Sequence, residues 1–523
     1  MVANFRGNCN ERRRPFGEVG EMNRPATLGE LRKSKYVIRP VKDELRENLI
    51  ERLRRKEPLF PGIIGYEHTV IPALTNAILA RHDIILLGLR GQAKTRIVRQ
   101  LHTLLDEYTP VVKGSEINDN PFAPVSKYAV DLVQECGDAT PIEWLHRSHR
   151  YGEKLATPDV TIADLIGDID PIKAAAQRLH YAHEGAIHFG IIPRSNRGIF
   201  AINELPDLQP RIQVGLFNIL EEKDIQIRGF NVRLPMDIML VFTANPEDYT
   251  NRGSIITPLK DRIDSQIMTH YPRSLEDAIK ITEQEAHIAR NGKEIRVPQF
   301  FKEIVERVAF EARKSEFVDQ KSGVSARLTI SAMENLVSNA ERRSIVTGDP
   351  VVMPRLCDLP HVLPGLTGKI ELVFEGEQEG SVKVSRALVG KAVRETFKHY
   401  FPDPMRKPAR QKQEQQGNRP ADDTEYGKIV SWFEGGNVIE VADDMPAAEY
   451  RKELEKVRGL REIVQRHMPD LKGDDELPVV MEFVLDGLHQ NSKLAKDEVD
   501  HLTSYKDMVG SIFPANARMH EED

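Results

Sequence analysis

Cysteine is scarce. Cys9, Cys136 and Cys357 are the three in 523 residues, and no two stand close enough to suggest a zinc knuckle or a redox pair. A reducing compartment fits that scarcity. No run of about 18 apolar residues occurs, which argues against a membrane-spanning helix. The opening stretch MVANFRGNCNERRRPFGEVG also has no apolar segment of signal-peptide length. The expectation is a cytoplasmic protein with no membrane partner. A strong charge bias is missing too: the net charge is -7, which argues against a surface built wholly to grip nucleic acid.

What is present is the balance of a globular protein, with 40% hydrophobic and 29% charged residues. A chain of this length predicts two to four packing units, since single domains hold about 100 to 200 residues. Residues 1–58 form a polar segment with 15 Lys or Arg against 9 acidic residues. Within it KDELRENLIERLRRKEPLFPG reads as a helix stopped by Pro58 and Pro61, packed on the next domain. Over 59–272 short apolar runs alternate with helical periods, the pattern of a parallel sheet with crossover helices. Ile84–Leu87, Ile199–Ile202 and Ile238–Phe242 lack polar alternation, as strands covered on both faces do. Helical periods dominate 273–401, where SLEDAIKITEQEAHIAR is capped by Ser274 and SARLTISAMENLVSNAERR follows. Residues 402–424 have almost no apolar side chains and predict a flexible linker. The region 425–523 predicts further helices, with Tyr450, Leu454, Val457, Leu460, Ile463 and Val464 as one apolar stripe after Pro446, and another helix through VVMEFVLDGLHQ.

The strongest motif is GLRGQAKT, from Gly88 to Thr95, placed directly after a buried strand and before an amphipathic helix. A triphosphate needs converging backbone N–H donors, a helix amino terminus, an ammonium group for the outer phosphates and a hydroxyl for magnesium. Gly88 and Gly91 permit the turn, with Gln92 and Ala93 completing it; Lys94 supplies the charge and Thr95 the hydroxyl. Ala93 stands where glycine is usual.

Hydrolysis needs more parts. The strand in RGIFAINELPDL delivers Asn203 at the position that shapes a magnesium shell and Glu204 at the position that polarises a water. Asn203 keeps an acceptor oxygen but removes a charge, so weaker magnesium binding is expected. A third strand, in MDIMLVFTANPEDYTNRG, ends at Asn245, and a place between the other two strands would let its amide reach the water or terminal phosphate. Arg262, in LKDRID, precedes the strand-like run QIMTHY, and Arg327 opens a helix in GVSARLTI. Alone, each arginine reads as a surface residue.

Taken in order, GIIGYE, GLRGQAKT, RGIFAINELPDL, FTANPED, LKDRID and GVSARL resemble the AAA+ core of magnesium-chelatase ATPase subunits and MoxR-type ATPases, over roughly residues 59–345. The resemblance implies an α/β P-loop core with a helical lid; the extra helical region at the carboxyl end, like Asn203, departs from the family's pattern. The resemblance implies ATP and Mg2+ as cofactors, Lys94 and Thr95 as phosphate and magnesium contacts, and Asn203 and Glu204 as the second acidic motif. It further implies Asn245 as first sensor, Arg262 as a finger acting across a subunit boundary and Arg327 as second sensor. Alanine before the phosphate-loop lysine is frequent on the MoxR side of that branch. Two inserted hairpins are also implied, one within LATPDVTIADLIGDIDPIKAAAQRLHYAHEGAIHFGIIPRSN and one within EEKDIQIRGFNVRLPMDI. The implied assembly is a hexameric ring with a protein partner that often carries a von Willebrand A domain.

The enzyme reading is an ATP-hydrolysing motor that remodels a protein partner or assists metal insertion. One alternative is a nucleotide switch that hydrolyses poorly, supported by Asn203. Another is an enhancer-binding transcriptional activator, against which stands the absence of a GAFTGA-type loop and a helix-turn-helix tail. His180, His183 and His188, like His146 and His149, lie close together, but no carboxylate or cysteine spacing completes a zinc set, so solvated or packing roles are expected.

Overall fold

The computed structural model describes residues 24–177, 184–227, 233–245, 254–290, 292–405, 425–471, 473, 475–499 and 501–508. Its organising element is a five-stranded sheet of β1 (Ile84–Leu87), β2 (Tyr151–Leu155), β3 (Gly198–Asn203), β4 (Ile238–Ala244) and β5 (Ser265–Met268). All neighbours are parallel, in the order β5-β1-β4-β3-β2. β4 therefore lies between β1 and β3, the place the sequence asked of the strand that leads to Asn245.

Both faces of the sheet are covered, which explains the uninterrupted apolar runs. On one face Ile84, Leu86, Ile199, Ala201, Met239 and Val241 pack against Ile97 and Val98 of the helix that follows the phosphate loop. On the other, Ile85, Leu87, Phe200, Ile202, Leu240 and Phe242 meet Ile212, Leu216 and Ile219. β2 escaped the sequence reading because it is an edge strand, YGEKL, whose residues are half-buried or exposed.

The helix predicted near residue 41 is α1 (Val41–Arg55), ended by left-handed Lys56 just before Pro58. Its Val41, Leu45 and Leu49 join the core under β1. A buried ion pair fixes it further: both guanidinium ends of Arg150 reach the Glu44 carboxylate at 2.7 Å. The phosphate-loop helix is α2 (Lys94–Gln100), continued by a 3-10 turn over Leu101–Leu104.

Both stretches that resemble inserted hairpins contain antiparallel pairs. Gly167–Ile169 pairs with Ile187–Phe189, and Asp224–Gln226 pairs with Arg233–Pro235. Beyond the sheet come α3 (Leu275–Glu285), α4 (Gln299–Ala312), α5 (Arg327–Thr347) and α6 (Ser381–Tyr400). Ser274 caps α3, accepting from the Asp277 N–H at 3.0 Å, but the helix stops at Glu285 and does not run through Arg290.

The residues after 425 share one core with these helices: Phe300, Phe397 and Leu336 lie in the same cluster as Tyr450, Phe483 and Tyr505. Here α7 (Glu476–Gln490) is accompanied by a three-stranded antiparallel sheet of Ile439–Ala442, Leu502–Lys506 and Ala495–Val499, which the sequence reading did not include. The single stripe from Tyr450 to Val464 belongs to two helices, Ala447–Glu455 and Leu460–His467. Gly459 separates them at φ +83, a left-handed turn that glycine adopts without steric cost. Most of the stretch expected as a linker, residues 406–424, lies outside the described residues. Among the described residues no helix is long and apolar enough to cross a membrane.

Candidate nucleotide site

The motif residues converge because parallel strands all end on one edge. Gly88 follows β1, Asn203 closes β3 with Glu204 next, and Asn245 follows β4. The Gly88 N–H donates to the Ala244 carbonyl at 3.1 Å, so the phosphate loop starts against the residue before Asn245. Asn245 is buried.

Two glycines in the loop are required by geometry. A Cβ on Gly88 would stand 1.9 Å from the Thr269 hydroxyl and 2.2 Å from Gln92 Oε1. Gly91 has φ +74, and a Cβ there would meet the Ser325 hydroxyl at 2.2 Å. Ala93 is left-handed as well, at φ 56, which is why glycine suits that position; an alanine there costs about 1 kcal/mol. Lys94 is buried and folds back over the loop, its ammonium donating to the Gly88 and Leu89 carbonyls, the latter at 3.0 Å. Thr95, half-buried, sits on the first turn of α2.

Thr269 and Tyr66 brace this loop and were not singled out from sequence. Gln92 Oε1 accepts from the Thr269 hydroxyl at 2.7 Å. The Tyr66 hydroxyl lies 3.0 Å from the Gln92 carbonyl and 2.7 Å from that of His270, and burial pushes its pKa up to about 12. Tyr66 belongs to the GIIGYE stretch, the signal that pointed to it. Arg90 donates to the Ser322 carbonyl at 3.2 Å and pairs with Glu371 at 2.5 Å, tying the loop to the helical lid.

The acidic strand carries its own network. Asn203 is on the sheet face that α2 covers, since Ile199 and Ala201 of the same strand pack there. Its Nδ2 donates to Glu153 Oε1 at 2.9 Å, and its Oδ1 accepts from the Thr243 hydroxyl at 3.1 Å. The same hydroxyl accepts from the Glu204 N–H at 3.2 Å. Glu204 is half-buried with φ 55, a strained conformation of the kind that concentrates at functional positions. The Arg99 guanidinium, paired with Glu153 through two contacts of 2.8 Å, holds that carboxyl below the usual carboxylate range. Thr243 belongs to the FTANPED stretch, whereas Glu153 lies in no motif.

The two arginines separate. Arg327 is exposed at the first position of α5, two residues after Ser325, whose hydroxyl a Cβ on Gly91 would meet. Arg262 closes the helix Thr257–Arg262, three residues before β5 begins, and therefore lies at the opposite edge of the sheet. There its Nε donates to Glu221 at 2.8 Å and its guanidinium lies 4.7 Å from the centre of the Phe217 ring.

The histidine groups show packing contacts where described. His146 bonds the Ser148 hydroxyl at 2.8 Å and meets the Tyr108 ring edge-on, while His180 and His183 lie outside the described residues. Among the described residues no cluster of three or more His, Cys, Asp or Glu could hold a metal ion.

The donor set fits a magnesium nucleotide: a glycine-lined loop, one ammonium group, a hydroxyl on the first helical turn, and across the sheet an amide beside a carboxylate. No family model matches the chain. It is 26% identical over 250 residues to magnesium-chelatase subunit ChlI-2, chloroplastic, of Arabidopsis thaliana, covering 46% of this chain and 55% of that one. It is also 26% identical over 254 residues to magnesium-chelatase subunit ChlI, chloroplastic, of Nicotiana tabacum, covering 48% and 56%. The chain thus spans about half the length of the curated relatives it matches. A complex of the magnesium-chelatase subunits BchI and BchD aligns at 18% identity, over 65% of this chain and 95% of that one, with a TM-score of 0.33. Strand order and the ordered motifs fit the α/β P-loop fold of AAA+ proteins, and over about half its length the chain is similar in sequence to magnesium-chelatase I subunits.

Proposed function

We propose that this chain binds ATP with Mg2+ and hydrolyses it as one subunit of a ring, using the cycle to remodel a protein partner or to assist metal insertion. The observation that supports this most is the meeting of four elements at one sheet edge: the Gly88–Thr95 loop, Asn203 with Glu204, Asn245, and the lid helix that starts at Arg327.

In this reading loop N–H groups and the Lys94 ammonium hold the phosphates, and Thr95 with Asn203 holds the magnesium shell. Magnesium, when bound, neutralises charge on the outer phosphates. The Glu204 carboxylate accepts a proton from the attacking water, which Asn245 orients. Arg327 contacts the nucleotide of its own subunit when the lid closes. Arg262 acts on the neighbouring subunit's nucleotide, consistent with its place away from its own phosphate loop. A hexameric ring, a partner with a von Willebrand A domain and a cytoplasmic location are parts of the same proposal.

A hydrolysis-poor switch is the second reading, and Asn203 is the observation in its favour: the magnesium-side group is neutral and already engaged by Thr243 and Glu153. Steady-state phosphate release by the wild type, Lys94→Ala and Glu204→Gln decides between them. Turnover abolished by both substitutions supports the motor. ATP binding without turnover in the wild type supports the switch.

A further inference from the structure

Asn203 replaces a carboxylate, yet its amide is not free to rotate. One side is fixed by the Thr243 hydroxyl, which donates to Oδ1 at 3.1 Å, and the other by Glu153, which accepts from Nδ2 at 2.9 Å. Glu153 comes from the adjacent strand, where the parallel register sets it opposite Ala201, two residues before Asn203 on the same face. Its own orientation is over-determined: Arg99 Nε and Nη2 donate to its two oxygens at 2.8 Å, and the Tyr151 hydroxyl donates at 3.0 Å. Arg99 stands on α2, four residues after Thr95 and so on the same side of that helix. A chain of contacts thus links the phosphate-loop helix to the magnesium-side amide.

We propose that Glu153 is a positioning residue that fixes the Asn203 amide with its carbonyl toward Thr243, and that asparagine stands at 203 because Glu153 demands a donor there. This rests on the nucleotide reading given above. An aspartate at 203 would have no N–H for Glu153 and would place two carboxylates at hydrogen-bond distance, with one guanidinium already committed to the first. Restoring the usual aspartate is therefore productive only when residue 153 becomes a donor. Glu153→Gln does that, since its amide N–H can serve an aspartate across the same gap.

The test is the Mg2+ concentration giving half-maximal binding of a fluorescent ATP analogue, measured beside binding in EDTA and the Tm of the nucleotide-free protein. Wild type, Glu153→Gln, Asn203→Asp, the double variant and Lys94→Ala are compared. Lys94→Ala tests the site itself: if the wild type takes up no analogue, or Lys94→Ala takes up as much, the nucleotide reading fails, whatever the role of Glu153. Given wild-type binding, Asn203→Asp alone is expected to raise the required Mg2+ at least fivefold with EDTA binding unchanged, while Glu153→Gln alone, whose amide oxygen still accepts from Asn203, stays within about twofold. The double variant is expected to return within about twofold of wild type, a rescue that a role in folding alone would not give. Asn203→Asp tightening Mg2+ dependence by itself, or effects of the two substitutions that simply multiply in the double variant, overturns the proposal.

Discussion

Gly91 and Ser325 touch so closely that a single added carbon on the first would lie 2.2 Å from the hydroxyl of the second. The phosphate loop and the start of the lid helix are therefore in contact through a gap only glycine leaves open. Gly91→Ala must either push the lid away or distort the loop, and its φ of +74 adds about 1 kcal/mol of backbone strain. Nucleotide affinity should fall at least tenfold. Titration with a fluorescent ATP analogue checks this, and an unchanged affinity would mean that the lid start is not part of the site.

Ala93 shares the left-handed conformation of Gly91 but is not a glycine. Ala93→Gly should remove strain worth about 1 kcal/mol and offset part of it through the freer unfolded chain. The expected result is a Tm that is unchanged or slightly raised, with nucleotide affinity within about twofold of wild type. A fall of several degrees in the melting curve would show that the methyl group packs usefully.

Arg262, held by Glu221 and Phe217 away from its own phosphate loop, is proposed to serve a neighbour. Arg262→Ala should bind ATP normally and lose turnover by about 10³-fold or more. Mixing it with Lys94→Ala, itself inactive, should recover part of the activity, because interfaces form that pair an intact loop with an intact finger. No recovery in mixed assemblies, with subunit exchange verified, would place Arg262 outside the site.

Glu306 lies buried among three lid helices, bonded to the Thr282 hydroxyl, and burial pushes its pKa up to about 7. A carboxyl whose folded pKa exceeds its unfolded value binds its proton more tightly when folded. Its stabilising contribution is thus present below about pH 4.5 and lost as pH rises through about 7. The full swing is on the order of 3 kcal/mol. Glu306→Gln should flatten the pH dependence of urea stability between pH 5 and 8 and be the more stable form at pH 8; an unchanged slope counts against the buried acid.

The Arg150–Glu44 pair anchors α1 to the sheet from both sides of a buried carboxylate. Glu44→Ala leaves that guanidinium unpaired in the interior, costing about 3–5 kcal/mol. Leu53→Ala, on the exposed side of the same helix, should cost less than about 0.5 kcal/mol. Urea midpoints for the two variants test the difference.

Legibility in the sequence followed burial and contiguity. Ile84–Leu87, Ile199–Ile202 and Ile238–Phe242 announced themselves because both sheet faces are covered, while Tyr151–Leu155, with Glu153 and Lys154 at a half-exposed edge, carries no such signal. Site residues within continuous motifs, such as Gly88–Thr95 or Asn203–Glu204, could be named at once. Glu153 could not, because what brings it to Asn203 is strand register, and register is a property of pairing rather than of either strand. The stripe from Tyr450 to Val464 kept a helical period across the break at Gly459 because both short helices face the same core, so periodicity alone concealed the turn.

The most direct measurement is calorimetric titration of the full chain with ATP in the presence of Mg2+, beside Lys94→Ala. Saturable binding near one nucleotide per chain, lost or weakened at least a hundredfold by the substitution, is the predicted result. No heat of binding in the wild type, or an affinity indifferent to Lys94, would contradict the account.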